Sequence, residues 1–126
     1  MLLDRLYAQG SVISTTLQGL KVRNQVISNN IANAEVPGFR ARRVDFEDSL
    51  IDALSGFPRC RNFDLSGVTP RVSFQNPDAF YRLDGSSVDI EVEMVHLYQN
   101  SMRFDTLVTS VMANSRRLST VLQRSG

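Results

Sequence analysis

The chain has 126 residues, 42% of them hydrophobic, and a formal net charge of +1. This length supports one modest domain, because a small core leaves little stability to spare. Acidic and basic side chains are mixed along the chain, so no strongly basic surface predicts binding to nucleic acid or to an anionic membrane. The single cysteine, Cys60, excludes an internal disulfide and cannot by itself build a thiolate metal site.

The first third of the chain predicts a long helix over residues 4–31. Apolar side chains recur there at spacings of 3, 4 and 7, and Gly10 and Asn24 occupy two of the positions. This pattern is typical of a coiled-coil seam, the row of side chains that faces a partner helix. Asn24 in such a row would set the register of pairing at some cost in stability. The apolar members of this first seam are Leu6, Ile13, Leu17, Leu20, Ile27, Ile31 and Ala34.

The uncharged stretch over residues 6–20 is also the place where a membrane span or an export signal would be sought. It contains six Ser, Thr and Gln side chains. We therefore expect neither a transmembrane helix nor the apolar part of a secretory signal.

The helix should end within residues 29–39, NNIANAEVPGF. Asparagine tolerates the left-handed conformation found at helix ends, and Pro37-Gly38 suits a type II turn. One interpretation is an ordinary polar cap. The alternative is that Asn30 and Asn33 bond to a neighbouring chain, because amides offer both donors and acceptors without charge.

Residues 36–87 hold all four prolines and most of the glycines, so no long helix can cross them. The pattern predicts one short helix from Asp45 to Leu54 and a strand from Val68 to Phe74. Residues 84–87 resemble the turn and N-cap region that precede the next helix.

The last third predicts a second long helix over residues 90–122. Carboxylates at Asp89, Glu91 and Glu93 are expected to be solvated charges near the positive end of the helix dipole. The second seam alternates spacings of 3 and 4 and contains Met94, Leu97, Ser101, Phe104, Val108, Val111, Ser115, Leu118 and Leu122.

We therefore predict a mainly α fold. Two long terminal helices would form a coiled-coil-like hairpin, with an irregular, partly β or disordered central insert. The predicted division is an N-terminal axial helix with its Asn-rich stop over 1–35, a Pro/Gly-rich insert over 36–87, and a C-terminal axial helix over 88–126.

Catalysis, metal binding and cofactor binding are not expected. His96 is the only histidine and lies beside the second seam, where a solvated side chain is the simpler interpretation. Without a second histidine or a catalytic base, neither a nucleophile pair nor a zinc site is predicted.

The basic group Arg40, Arg42 and Arg43 gives the strongest alternative signal, because with Phe39 it could bind nucleic-acid phosphates. Acidic side chains follow it at 45, 47 and 48, which favours Arg–carboxylate pairs across a protein interface. The alternative function is thus a small nucleic-acid-binding or regulatory helical-hairpin protein.

Two stretches carry a family resemblance. Residues 28–50, SNNIANAEVPGFRARRVDFEDSL, resemble the N-terminal motif of bacterial flagellar axial proteins. Residues 85–122, GSSVDIEVEMVHLYQNSMRFDTLVTSVMANSRRLSTVL, are similar to the C-terminal helix of the proximal rod proteins of that group. The family usually has threonine before the proline, and Val36 stands there in this chain.

The resemblance implies a structural subunit of the proximal rod in the flagellar basal body, exported by the flagellar type III apparatus into the periplasm-spanning rod. It would serve motility by packing its terminal helices into a helical tube. Implied partners are other copies of the chain, other rod proteins, and ring and export-gate components. No nucleic acid, membrane insertion or small-molecule substrate is implied.

The predicted subunit-contact residues combine both seams with the stop and turn. They are Leu6, Ile13, Leu17, Leu20, Asn24, Ile27, Asn30, Ile31, Asn33, Pro37, Gly38, Phe39, Arg40, Met94, Leu97, Phe104, Val108, Val111, Leu118 and Leu122.

Overall fold

The computed structural model describes residues 2–55, 64–75, 83 and 85–126. Three helices and two short strands occur in these ranges. In chain order they are α1 (Leu2–Ala32), β1 (Arg42–Asp45), α2 (Glu47–Leu54), β2 (Arg71–Phe74) and α3 (Ile90–Arg124). No helix within the described ranges has the length and apolarity needed to cross a membrane.

The two long helices lie side by side and run in opposite directions. Asn30, near the end of α1, bonds to Glu93, near the start of α3, and Asn100 bonds to the backbone of Leu20. At 1.5 Å per residue the helices are about 46 and about 52 Å long. The predicted mainly α fold with a coiled-coil-like helical hairpin is confirmed.

A small antiparallel sheet lies against α1. Its register pairs Arg42 with Phe74 and Asp45 with Arg71. β2 is the predicted strand, shortened so that it begins after Pro70. β1 was not predicted, because only Val44 among its four residues is buried and an alternating pattern cannot be recognised in so short a segment.

The core consists of two small clusters along the hairpin. Leu20, Val44 and Phe46 form the first, and Ala34, Ala41 and Val88 form the second. The first cluster joins α1 to the segment around β1, and the second joins the stop after α1 to Ala41 and to Val88, two residues before α3. The division into 1–35, 36–87 and 88–126 remains a prediction.

A glycine allows the close approach of Phe46 to α1. A Cβ atom at Gly19 would lie 2.7 Å from three carbons of the Phe46 ring. Carbon atoms do not approach so closely without displacement, so any larger residue at 19 would push the ring away.

The start of α3 differs from the sequence prediction in two ways. Its N-cap is Asp89, whose carboxylate accepts hydrogen bonds from the N–H groups of Glu91 and Val92. The expectation that Glu93 is a solvated charge is wrong, because its side chain is buried against α1. Alternating charges at a helix start do not reveal which of them faces the partner helix.

Candidate subunit-assembly site

The stop after α1 has the predicted geometry. The Asn33 N–H donates to Asn29 O over 3.1 Å, and the chain then turns so that the Phe39 N–H donates to Val36 O over 3.2 Å. Gly38 has φ +72° in this turn, a region that side-chain-bearing residues rarely adopt. The Asn33 side chain donates to Asn29 O, which is a local cap contact.

Asn30 makes the contacts that organise this end of the hairpin. Its Nδ2 donates to Arg42 O over 2.8 Å and to a Glu93 carboxylate oxygen over 3.0 Å, and its Oδ1 accepts from the Arg42 N–H over 3.0 Å. The amide thus binds both backbone groups of one β1 residue, as a neighbouring strand would. Asn30 is buried and bonded within its own chain, and its role as a direct contact to another subunit stays a prediction.

The segment before α3 is held against the turn by backbone and serine contacts. The Ser87 N–H donates to Phe39 O over 3.0 Å, and Ser87 Oγ accepts from the Ala41 N–H over 2.8 Å. Gly85, with φ +78°, comes close enough to Gly38 that a Cβ on it would lie 3.7 Å from the Gly38 Cα. We call residues 29–46 and 85–100, with Leu20–Ile27 of α1, the junction half of the hairpin.

Arg23 fixes β1 and the start of α2 to α1. Its guanidinium donates to Val44 O and makes two bonds of 2.6 Å to the Glu47 carboxylate. It also lies 4.9 Å from the centre of the Phe46 ring. Burial opposes ionisation of Glu47, but hydrogen bonds and the charge of Arg23 outweigh it, so the pKa of Glu47 lies below its ordinary value.

The basic group is engaged largely within the chain. The guanidinium groups of Arg40 and Arg42 lie 5.3 and 5.7 Å from the centre of the Phe74 ring. Arg43 lies 3.7 Å from an Asp45 oxygen, with both side chains exposed. Glu47 pairs with Arg23 within the chain, and the Arg–carboxylate pairing across a protein interface stays a prediction.

The predicted contact residues fall into three groups by exposure. The buried ones lie in the junction half and are Leu20, Ile27 and Asn30. The half-buried ones are Ile13, Leu17, Ile31, Asn33, Phe39, Arg40, Leu97 and Val108. The exposed ones are Leu6, Asn24, Pro37, Gly38, Met94, Phe104, Val111, Leu118 and Leu122.

The other half of the hairpin is open. Residues 4–14 and 109–124, which we call the distal half, contain no buried residue. A cleft of about 630 Å³ opens there and is lined by six residues of α1, among them Leu6 and Tyr7, by Leu118 of α3, and by Leu65 of the segment before β2. Among the described residues, the seam pattern therefore continues beyond the part of the hairpin in which side chains are buried.

Several residues important for this arrangement were missed in the sequence. Asn100 is buried and its Nδ2 donates to Leu20 O, while its Oδ1 has no hydrogen-bond partner among the residues that the structure describes. Local sequence patterns do not indicate the roles of Glu93 and Arg23, because their hydrogen-bond partners lie 63 and 24 positions away in the chain. For Gly19, the sequence offers one signal of a close contact, which is the position of a glycine in the middle of a helical pattern. No group of His, Cys, Asp and Glu in the described ranges is arranged to hold a metal ion.

Known proteins are similar in sequence to this chain over most of its length. A family model described as "Flagella basal body rod protein" matches residues 12–40, from the first seam through the Pro-Gly turn. The flagellar basal body rod protein FlgB of Bacillus subtilis is 31% identical over 124 residues, covering 89% of this chain and 96% of that protein. The chain belongs to the FlgB family of flagellar basal-body rod proteins.

Other FlgB proteins agree. That of Aeromonas hydrophila is 34% identical over 91 residues, covering 67% of this chain and 69% of that protein. That of Cereibacter sphaeroides (strain ATCC 17029 / ATH 2.4.9) is 31% identical over 124 residues, covering 90% of this chain and 86% of that protein. The family match confirms the resemblance seen in the two motifs and places the chain among the structural proteins of the flagellar basal-body rod.

Proposed function

We propose that this chain is a structural subunit of the proximal rod and has no enzymatic activity. Its terminal helices would pack with those of other copies and of other rod proteins to build a helical tube that serves motility. Similarity over nearly the whole length of the Bacillus subtilis FlgB protein carries this proposal. The open distal half supports it, because apolar residues such as Tyr7, Val121 and Leu122 are exposed there in the part of the chain that the structure describes.

The predicted contact residues divide their roles in this proposal. The exposed and half-buried members would touch neighbouring subunits, and the buried ones would hold the shape that presents them. Asn30 belongs to the second group, since its amide is fully used by Arg42 and Glu93. Pro37 and Gly38 are exposed in the turn and Asn33 is half-buried before it, and all three are proposed as contacts.

Export by the flagellar type III apparatus and a place in the periplasm-spanning rod are part of the same proposal. Contacts with basal-body ring and export-gate components would follow from that position. The support for this part is membership of the rod family.

Isolated basal bodies provide the test. In a strain that lacks its own copy of the gene, expression of this chain should restore swimming, and mass spectrometry should detect the chain in purified basal bodies. A strain that expresses the Gly38→Val variant is the comparison, because a β-branched residue resists the positive φ of that turn and should lower incorporation. If the chain is expressed normally but is absent from purified basal bodies, the proposal is contradicted.

The nucleic-acid alternative predicts a different result. A phosphate-binding protein would bind nonspecific DNA with an affinity that falls steeply as salt is raised. For a rod subunit we expect negligible binding near physiological salt. Arg40 and Arg42 lie against Phe74 and Arg43 lies near Asp45, so these side chains already have interactions within the chain.

A further inference from the structure

The face of α3 that points away from α1 is exposed, and its side chains are largely apolar. Met94, Val95, Tyr98 and Met102 have 58%, 54%, 69% and 55% of their surface exposed. At 3.6 residues per turn they fall within an arc of about 100°, and Glu91 and Asp105 lie in the same arc. We call these six residues the outer stripe.

A second exposed apolar surface lies at the distal end. Tyr7, Val121 and Leu122 are 76%, 63% and 64% exposed there, and Leu6 and Leu118 border the distal cleft, which Leu65 also lines. We call these five residues the open end. Arg117 and Arg124 lie on the helix surface beside Val121, within about 60° of it around the axis.

The two surfaces cannot cover each other within one chain. Tyr98 and Leu118 are separated by 20 residues, or about 30 Å along the same straight helix, and they point to nearly opposite sides of it. Any contact between the outer stripe and the open end must therefore join two molecules.

The charges of the two surfaces are complementary. Over residues 89–105, α3 and its cap carry four carboxylates, of which Glu93 is buried, and one arginine, whereas residues 106–126 carry three arginines and no carboxylate. Favourable placement in the helix dipole explains charges in the first and last turns only. Asp105 and Arg117 lie well inside the helix, and neither they nor Glu91 and Arg124 form an ion pair among the described residues.

We infer that the outer stripe of one copy of this chain packs into the open end of the next copy. Glu91 and Asp105 of the first copy would face Arg117 and Arg124 of the second. The contact uses two different surfaces, so each added copy presents a new free surface, and such a contact extends into an open helical assembly unless its rotation closes a ring. This inference rests on the proposed rod function and assigns the surfaces that meet.

Cysteine cross-linking in assembled basal bodies tests the pairing directly. With Cys60 replaced by serine, one copy carries Tyr98→Cys and a second, co-expressed copy carries Val121→Cys or Leu122→Cys. A disulfide requires Cα atoms within about 7 Å, and two distal positions allow for a small shift of register. Mild oxidation should give a dimer on a non-reducing gel only when both copies are present. Tyr98→Cys with Gln25→Cys, an exposed residue of α1, is the matched control and should give none.

Each outcome decides between the alternatives. A dimer from Tyr98→Cys alone would show that outer stripes meet each other, and no dimer from either mixed pair in basal bodies that contain both copies would overturn the inference. Absence of the chain from basal bodies would overturn the proposed function itself.

Independently, the double change Glu91→Arg with Asp105→Arg should abolish swimming, and adding Arg117→Glu with Arg124→Glu should restore it. Failure of that restoration would contradict the assigned charge pairing.

Discussion

The junction half and the distal half of the hairpin contain the same two helices but differ in what lies over them. At the junction, β1 and the segment before α3 add a third layer, so Leu20, Ile27 and Glu93 are buried. In the distal half none of the described residues is buried, and Leu65 of the segment before β2 lines the cleft beside the two helices. Two helices alone cannot enclose an apolar seam. The spacing pattern therefore predicts which side chains form the seam, and the third layer determines which of those side chains are buried.

The largest expected effect compares one seam residue from each half. Leu20 is 3% exposed and Leu122 is 64% exposed. Leu20→Asp should lower the free energy of unfolding by at least about 4 kcal/mol, since it removes core packing and buries an unpaired charge. Leu122→Asp should change it by less than about 0.5 kcal/mol, yet abolish incorporation into basal bodies. Urea denaturation of the purified monomer measures the first effect, and equal losses for both variants would erase the distinction between the halves.

The next comparison uses the two asparagines of the stop. Asn30→Leu should lower the free energy of unfolding by about 3 kcal/mol, because Arg42 N–H, Arg42 O and Glu93 each lose a hydrogen-bond partner. Asn33→Ala removes a cap contact only and should cost less than about 1 kcal/mol. Thermal or urea unfolding of both variants checks this. A smaller loss for Asn30→Leu than for Asn33→Ala would show that the amide does not organise the junction.

A pair of glycines in α1 gives a smaller effect with opposite signs. Gly10→Ala has no atom within 4 Å of the new Cβ and should stabilise the chain by about 0.5–1 kcal/mol through helix propensity. Gly19→Ala would push against the Phe46 ring, and we expect a net loss of about 1 kcal/mol after the same propensity gain. Parallel unfolding curves settle the sign, and stabilisation by Gly19→Ala would mean that Phe46 moves freely.

The smallest expected effect concerns pH and the ion pair at the junction. Because the folded state lowers the pKa of Glu47, the unfolded chain takes up that proton first as the pH falls. The contribution of Glu47 to stability is therefore complete above its ordinary pKa of 4.5 and is lost as the pH falls through the lower folded value. Glu47→Gln and Arg23→Gln should each flatten the fall in stability across this acidic range. An unchanged slope in both variants would contradict the role of the pair.

The sequence predicted what depends on local spacing. The 3 and 4 spacing of apolar residues indicated both long helices, and Pro37-Gly38 indicated the turn, because each signal lies within a few neighbouring positions. It did not predict that Asn30 would serve as a strand partner for Arg42 or that Glu93 would be buried beside it. Those contacts join separated segments, and the residue types alone suit solvent, caps or interfaces equally well.

The junction also determines when the hairpin can form. The bond from Asn30 to Glu93 spans 63 positions and that from Asn100 to Leu20 spans 80, whereas the bonds within α1 are local. Distant contacts of this kind slow folding, because a long loop must close before they form. α1 can form from its own local bonds, whereas the hairpin closes only once the segment that holds Glu93 and Asn100 is available to it.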